Sequence, residues 1–186
     1  MFRQLLRLLP ALVLIGLIFV ALGGPRRAAA EGQTTQLYPT DRAVVRQIHR
    51  YQHQTWRWQR LMGVGRTPAS RAAETDPSHS FKVWVRNLWK RRALRAWRTA
   101  ARPPHRAGWL CIHRYEGAWA DPNAPYYGGL QMDLSFQRRY GRDLLRRKGT
   151  ANHWTPLEQM WVAERAHRSG RGYYPWPNTA RSCGLI

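Results

Sequence analysis

Two stretches in the first half of the chain repeat apolar residues every three or four positions, the spacing of one helical face. The first begins at a capping pair, Thr40-Asp41, and Gly63 and Gly65 follow where a helix would end. We therefore predict a helix from this pair to Met62. Its apolar face consists of Val44, Ile48, Tyr51, Thr55, Trp58 and Met62.

The second stretch predicts a helix from Ser80 to about Ala101, with arginines and lysines over most of its remaining surface. A polar connector, residues 66–78, separates the two helices. A proline pair at positions 103–104 follows the second helix, and helices rarely cross such a break. The apolar stripe of this helix consists of Phe81, Trp84, Val85, Leu88, Trp89, Ala93, Ala96 and Trp97.

Shorter elements follow the proline break. The pattern predicts a helix over residues 109–115 that ends at Gly117, and at most a small hairpin over residues 126–132. Asp133 or Ser135 can cap a helix that runs to Tyr140. Thr155, Pro156 and Glu158 form a strong helix start, with a capping box and a proline at its first position.

These patterns predict a mainly α protein with a short β-hairpin. A basic helical region rich in Trp and Arg, residues 31–104, precedes a small helical domain, residues 105–186.

The first thirty residues have the pattern of an export signal. Arg3 and Arg7 precede the apolar run Leu8–Leu22, which is short for a membrane span of about 20 residues. Residues 28–30 are three alanines, an A-x-A-type cleavage site, and residues 21–23 are a second candidate. The alternative is an uncleaved signal anchor. Either way we expect a secreted or wall-associated protein, tethered to the membrane if the signal stays.

The chain is strongly basic, with 31 Lys and Arg against 10 Asp and Glu and a net charge of +21. Such a balance predicts an anionic partner: nucleic acid, an acidic membrane or an acidic wall polymer. Export argues against nucleic acid. The basic helices could pack as a hairpin on each other or on the second domain. They could also bind anionic wall polymers or the membrane surface, and both interpretations can hold together.

The chain has two cysteines, Cys111 and Cys183. In an exported protein they predict one disulfide, and two free buried thiols are the alternative. The spacings of Cys and His indicate neither a metal site nor a cofactor. His105, His113, His153 and His167 stand singly in the sequence and are interpreted as structural.

Glu116 is the main candidate for chemistry, because it is a scarce carboxylate in an aromatic stretch. A carboxyl buried beside apolar rings favours its protonated form and can give a proton to a leaving oxygen, as in glycoside cleavage. The alternative role for Glu116 is an ion pair with Arg114. Rings that could contact sugar faces belong to Trp119, Tyr126 and Tyr127, and Gln131 can both donate and accept.

The same stretch resembles the resuscitation-promoting-factor and transglycosylase-like domains, small secreted relatives of lysozyme. In that pattern a Trp lies seven residues before a catalytic Glu, as Trp109 does here, and a Gly and a Trp follow. The pattern continues with a Tyr-Gly-Gly-Leu-Gln segment, a QxxVAxR helix and a Trp-Pro pair. The corresponding residues here are 127–131, 159–165 and Trp176-Pro177, so the resemblance covers about residues 105–186.

The resemblance implies a lysozyme-like fold that cleaves peptidoglycan between N-acetylmuramic acid and N-acetylglucosamine, with Glu116 as acid and base and no cofactor. A lytic transglycosylase needs no second carboxylate, whereas a hydrolase would use one, and Asp121 and Asp133 are the candidates. A non-catalytic wall-binding or signalling module is the alternative, and a membrane-active cationic protein is a third interpretation. The substrate-binding residues that the resemblance implies are Trp119, Tyr126, Tyr127, Gly129, Gln131 and Ser135.

The two cysteines depart from the family pattern. The family has a Cys directly before the Glu, where this chain has Tyr115, and Cys111 lies four residues earlier. Cys183 likewise lies four residues beyond its expected place. Four residues are about one helical turn, so we expect a disulfide that has moved as a unit.

Overall fold

The computed structural model describes residues 39–186. The predicted signal segment, residues 1–30, lies outside the described residues. The described part is mainly helical, with a small two-stranded antiparallel sheet and one disulfide, so the predicted mainly α class is confirmed at this level. Within residues 39–186, no helix is both long and apolar enough to cross a bilayer.

The first two long helices pack side by side in the same direction and form a parallel pair, the helical pair, rather than the predicted hairpin. Their starts meet at Asp41, His79 and Lys82, and their ends meet at Met62 and Ala100, because the connector runs back along them. Helix α1 spans Pro39–Met62 and α3 spans His79–Ala100, close to their predicted bounds. The connector also holds a short helix that the sequence pattern did not predict, α2, Ala72–Thr75. The core of the helical pair consists of Val44, Ile48, Ala73, Val85 and Trp89.

A buried charge cluster joins the starts of the two helices of the pair. Asp41 is 2% exposed, and its carboxylate lies 2.5 Å from His79 Nδ1 and 3.3 Å from Lys82 Nζ. The hydrogen bond from His79, together with Lys82, holds the pKa of Asp41 below its ordinary value, although burial opposes the shift. Asp41 therefore acts as a buried anchor between α1 and α3 rather than only as the helix cap that the sequence predicted.

The second half contains five further helices and the small sheet. Helix α4 spans Arg106–Glu116, and strands β1, Tyr126–Tyr127, and β2, Met132–Asp133, pair antiparallel with Tyr126 opposite Asp133. Helix α7 starts with the predicted capping box. The remaining helices are α5, Leu134–Tyr140; α6, Arg142–Lys148; α7, Pro156–Ala166; and α8, Pro177–Ser182. A 3₁₀ turn, Ala151–His153, precedes α7, and a π turn, His167–Arg171, follows it.

Helix α7 lies at the centre of this half, because six of its residues, Gln159–Glu164, are buried. The fully buried Trp109 and Ile112 of α4 and Val162 and Ala163 of α7 belong to one core. The sequence pattern predicted α4, α5 and α7 but missed α6 and α8, since arginine-rich or proline-led segments of six or seven residues carry little periodicity.

The helical pair contacts α7 and the π turn after it through the end of α1. Arg165 Nη2 donates to the carbonyls of Arg60 and Leu61, both at 2.8 Å, and Arg168 Nη2 donates to the carbonyl of Met62. These carbonyls have no acceptor role inside the helix, and the helix dipole makes its C-terminus attractive to cations. Gly63, at φ 65°, lets the arginine approach, because a Cβ there would lie 2.8 Å from Arg165 Nε. The two halves are thus joined by charge-assisted hydrogen bonds.

Apolar contacts surround this joint. Met62, Ala100 and Trp161 form a small buried cluster, and Trp161 Nε1 donates to the carbonyl of Ala100 at 2.7 Å. The C-terminal ends of both helices of the pair are therefore held by one helix of the second half.

We predict that Arg165→Met destabilises the protein by about 3 kcal/mol, because a hydrogen bond from a charged group contributes about 1.5–3 kcal/mol and this guanidinium binds the carbonyls of Arg60, Leu61 and Tyr140. Urea unfolding measures the change in the free energy of unfolding. Arg138→Met is the matched control, since that side chain is exposed and makes no contact of this kind. Equal unfolding midpoints for the two variants would contradict the proposed joint.

Candidate functional site

Glu116 is the last residue of α4, and Gly117, at φ 139°, ends the helix. Trp109, Ile112 and Glu116 share one helix face by their spacing, and the first two are fully buried. The carboxyl therefore lies where the buried face of α4 reaches the surface, and it is half-buried. The neighbouring Tyr115 points outward and is 61% exposed.

A pocket of about 210 Å³ opens at this carboxyl. One oxygen, Glu116 Oε1, accepts a hydrogen bond of 2.8 Å from Thr179 Oγ1 of α8. Across residues 39–186 no cation lies within ion-pair distance of Glu116, so the ion pair with Arg114 is not present. The pocket is lined by Glu116, Tyr126, Gln131, Pro175, Trp176, Pro177 and Asn178.

The glycine-rich segment, residues 127–131, places Gln131 at the pocket. Gln131 has φ 46°, and its Nε2 donates to Asp121 Oδ2 at 2.8 Å and to the Gly128 carbonyl at 3.0 Å. Gly129 packs tightly, because a Cβ there would lie 2.6 Å from His113 Nδ1 and 2.8 Å from the Trp119 ring. These glycines allow the close packing that fixes the orientation of the amide.

Two buried glutamines bind the backbone before and after this segment, at Trp119 and at Met132. Gln159 Nε2 donates to the carbonyls of Trp119 and Ala151, at 2.8 and 2.9 Å. Gln137 donates to the Met132 carbonyl at 2.7 Å and accepts from the Ala151 amide. Both side chains are fully buried. The backbone around the pocket is therefore fixed by side-chain amides from α5 and α7.

The two candidate second carboxylates are both engaged by protein donors. Asp121 accepts from Gln131 Nε2, from the Asn123 amide and from Asn123 Nδ2. Asp133 accepts from the Phe136 amide at 2.6 Å and from Ser135 Oγ at 2.8 Å. It is therefore the cap of α5, and it is one of the two caps that the sequence predicted. The hydrogen bond from the Phe136 amide, followed by those from Ser135, holds the pKa of Asp133 below its ordinary value, although burial opposes this.

The structure separates the predicted substrate-binding residues into two groups. Tyr126, 50% exposed, and Gln131 line the pocket with Glu116. Trp119 stacks on His113, with ring centroids 3.9 Å apart, and Tyr127 packs against the core. Gly129 lies under those two stacked rings, and the Ser135 hydroxyl donates to Asp133. The pocket itself therefore contains Tyr126 and Gln131 but not the other four.

Sequence reasoning missed Asn178 and Thr179 at this site. The Trp176-Pro177 pair was noticed, but the helix behind it was not predicted. Trp176 is buried and its Nε1 donates to the Leu130 carbonyl at 2.6 Å, which places the start of α8 against the glycine-rich segment. The proline pair around Trp176 was the available signal, since proline favours the first position of a helix.

The fully buried carboxylate in this half is Glu164 rather than Glu116. Its Oε1 accepts from the His105 amide at 2.7 Å and from Trp109 Nε1 at 2.9 Å. Burial, and next the charge of His105, lower the pKa of His167, and burial with the charge of Glu164 raises the pKa of Tyr173. Glu164 thus ties the start of α4 to α7, and it lines none of the described pockets.

The predicted disulfide between Cys111 and Cys183 is confirmed. It joins the middle of α4 to the end of α8, with a sequence separation of 72 residues. Because Glu116 lies on α4 and Thr179 lies on α8, this bond fixes the two helices that carry the hydrogen-bonded pair.

In the part of the chain that the structure describes, no group of three or more His, Cys, Asp or Glu side chains could hold a metal ion. No model of a known protein family, no curated protein and no solved structure matches this chain.

We predict that replacing both cysteines with serine lowers the free energy of unfolding by about 4 kcal/mol, the chain-entropy value for a loop of this length. Urea unfolding of the oxidised wild type and the double variant measures this difference. The wild type in a reducing agent should unfold at the same urea concentration as the variant. A reducing agent that changes the variant as much as the wild type would contradict the assignment.

We predict that Asp133→Ala costs about 1 kcal/mol at pH 7, the usual value of a helix cap. A carboxyl with a lowered folded-state pKa stabilises the protein above its unfolded-state pKa of 3.8, and this contribution is lost as the pH falls through the folded-state value. The stability difference from wild type should therefore shrink below about pH 4. Asp133→Asn keeps the cap without the charge, and its stability should lack this component of the pH dependence. A wild-type advantage over Asp133→Ala that stays constant down to pH 2 would refute this role.

Proposed function

We propose that the protein is a secreted, wall-associated enzyme that cleaves the glycan strands of peptidoglycan, with residues 105–186 as a lysozyme-like catalytic domain of the transglycosylase type. The observation that carries the proposal is Glu116, a half-buried carboxyl at the opening of a pocket with no neutralising cation within residues 39–186. Its Oε1 is fixed by the Thr179 hydroxyl. A general acid needs this combination of fixed position and access to the scissile oxygen.

In the proposed reaction Glu116 protonates the glycosidic oxygen between N-acetylmuramic acid and N-acetylglucosamine. The resulting carboxylate then takes the proton of the sugar's own C6 hydroxyl as that oxygen attacks C1. The product is a 1,6-anhydro end, and water takes no part. Thr179 orients the carboxyl in both steps, while Tyr126 and Gln131 contact the sugar through a ring face and an amide.

The engagement of both other candidate carboxylates supports this route over hydrolysis. A hydrolase needs a second carboxylate that is free to act as nucleophile or to activate water. Asp121 is held by three donors and orients Gln131, and Asp133 is the cap of α5. A mechanism with one carboxyl therefore fits these contacts better.

The displaced cysteines support the resemblance. Cys183 lies four residues beyond its place in the family pattern, and that place is occupied by Thr179. Tyr115 likewise lies at the expected position of the first cysteine, one turn after Cys111. A disulfide moved by one turn along both helices keeps α4 and α8 joined. The displacement also leaves position 179 to a threonine, whose hydroxyl binds Glu116.

A non-catalytic wall-binding or signalling module is the second candidate function. The same engagement of Asp121 and Asp133 favours it, because it leaves a single carboxyl at the pocket. The pocket would then bind glycan strands without cleaving them.

We predict that residues 31–186 release 1,6-anhydro fragments from purified peptidoglycan and that Glu116→Gln lowers the rate at least 100-fold, the lower end of the range for general acid catalysis. Mass spectrometry identifies the ends of the fragments. Thr179→Ser keeps the hydroxyl and should keep most of the activity. Thr179→Val has a similar shape but no hydroxyl, and its activity should be about 10-fold lower. A lost hydrogen bond of about 1.4 kcal/mol corresponds to a factor of ten in rate.

Reducing ends in place of anhydro ends would assign a hydrolase, and Asp121→Asn would then be tested as the second acid. If neither wild type nor Glu116→Gln releases fragments and both sediment with the wall, the enzyme is rejected and the binding module is retained.

A further inference from the structure

A groove, which we call the basic groove, runs along α1, first between α1 and α3 and then between α1 and the second half. Three depressions of about 380, 420 and 460 Å³ form it. Arg57 and Trp58 line both of the first two, and Arg60 and Asp143 line both of the last two, so the three are connected. From Tyr51 to Leu61 alone the groove is about 15 Å long, at 1.5 Å per helical residue. It shares no lining residue with the pocket at Glu116.

The groove carries a large excess of positive charge. Its two acids are already neutralised, because Asp143 pairs with Arg147 and Arg165, and Glu158 pairs with Lys148. Within residues 39–186, six other lining arginines pair with no carboxylate. They are Arg57, Arg60, Arg66, Arg139, Arg142 and Arg146.

These cations are placed at a cost to the fold. Arg142 and Arg146 lie four residues apart on α6, and like charges at this spacing repel each other. Arg142 is also in the first turn of α6, where the helix dipole disfavours a cation. An anionic ligand in the groove would relieve both interactions.

Aromatic side chains add apolar surface to the groove, which can contact the carbon skeleton of a ligand. Trp58 lines the first two depressions, and Trp97, 48% exposed, lines the first. Arg66 stacks over Trp56, with its Cζ 4.2 Å from the ring centroid, which pre-orients the guanidinium. A ligand that alternates anionic groups with sugar or polyol units would contact both kinds of side chain.

We propose that the basic groove binds an extended anionic glycopolymer of the cell envelope, through phosphodiester or carboxylate groups that accept from its arginines. The concave shape favours a linear polymer over a flat bilayer, which contacts convex surfaces. The disulfide is typical of exported proteins and favours an envelope polymer over nucleic acid. The proposal takes the envelope location from the proposed function but does not depend on cleavage by Glu116.

The test compares two triple variants of the full chain that lose the same charge. The groove variant carries Arg60→Gln, Arg142→Gln and Arg146→Gln. The control carries Arg50→Gln, Arg91→Gln and Arg95→Gln, which are exposed and line none of the described depressions. The probes are poly(glycerol phosphate) for phosphodiesters, polygalacturonate for carboxylates, a 15-mer of deoxythymidine and vesicles of phosphatidylglycerol.

For at least one of the two polymers we expect the groove variant to bind at least 10-fold more weakly than wild type and the control less than 3-fold more weakly. The polymer that shows this difference identifies the anionic group. The binding of that polymer should also depend less on salt in the groove variant. The slope of log K against log salt should be smaller in magnitude by about 2 than in wild type, because three contacts are lost. Vesicle binding should change equally in both variants. Circular dichroism confirms that both variants are folded.

Equal losses in the two variants would show a diffuse charge effect and overturn the proposal. So would tighter binding of the oligonucleotide than of both polymers, or a selective loss of vesicle binding in the groove variant. Glu116→Gln should bind the polymer like wild type whether or not the protein cleaves peptidoglycan, so this proposal and the enzyme proposal can fail separately.

Discussion

The structure depends on hydrogen bonds that run from α7 to the rest of the chain. Arg165 of α7 and Arg168 of the π turn that follows it bind carbonyls at the end of α1 and so attach the helical pair to the second half. Glu164 on the same helix holds the start of α4, and Gln159 holds the backbone near the pocket. Gln159 and Glu164 are fully buried, so an unmade hydrogen bond at either side chain would be costly. Helix α7 thereby holds the end of α1, the start of α4 and the backbone near the pocket.

The candidate site follows from these fixed positions. Helix α4 ends at Glu116 because Gly117 adopts a conformation that favours glycine, and the disulfide then holds α8 alongside. Thr179 reaches Glu116 only because both helices are held in this way. The glycine-rich segment supplies Gln131 in a positive-φ conformation that its hydrogen bonds to Asp121 and Gly128 support. The site combines one carboxyl, one hydroxyl and one amide on rigid elements, which suits acid–base chemistry on a sugar.

The arginines have several different roles in this protein. Arg165 and Arg168 are structural, because they bind backbone carbonyls at the joint. Arg147 neutralises an acid at the groove, whereas Arg60, Arg142 and Arg146 pair with no carboxylate in the described part of the chain. The net charge of +21 therefore reveals neither which arginines are structural nor where the unpaired charge concentrates. That concentration is a property of how α1 and α6 face each other.

The sequence by itself determined the long helices, the helix starts and the disulfide. Apolar periodicity over α1 and α3, the Thr155 capping box and the presence of only two cysteines are local or compositional signals, and each has a direct physical cause. Glu116 was also found from its local setting, together with Tyr126 and Gln131. The sequence did not reveal Thr179, the buried Glu164 or the joint made by Arg165, because each acts on a residue 55 to 105 positions away. Such contacts exist only once the helices are packed, so the tertiary structure alone decided which arginine is structural, which carboxylate is buried and what faces Glu116.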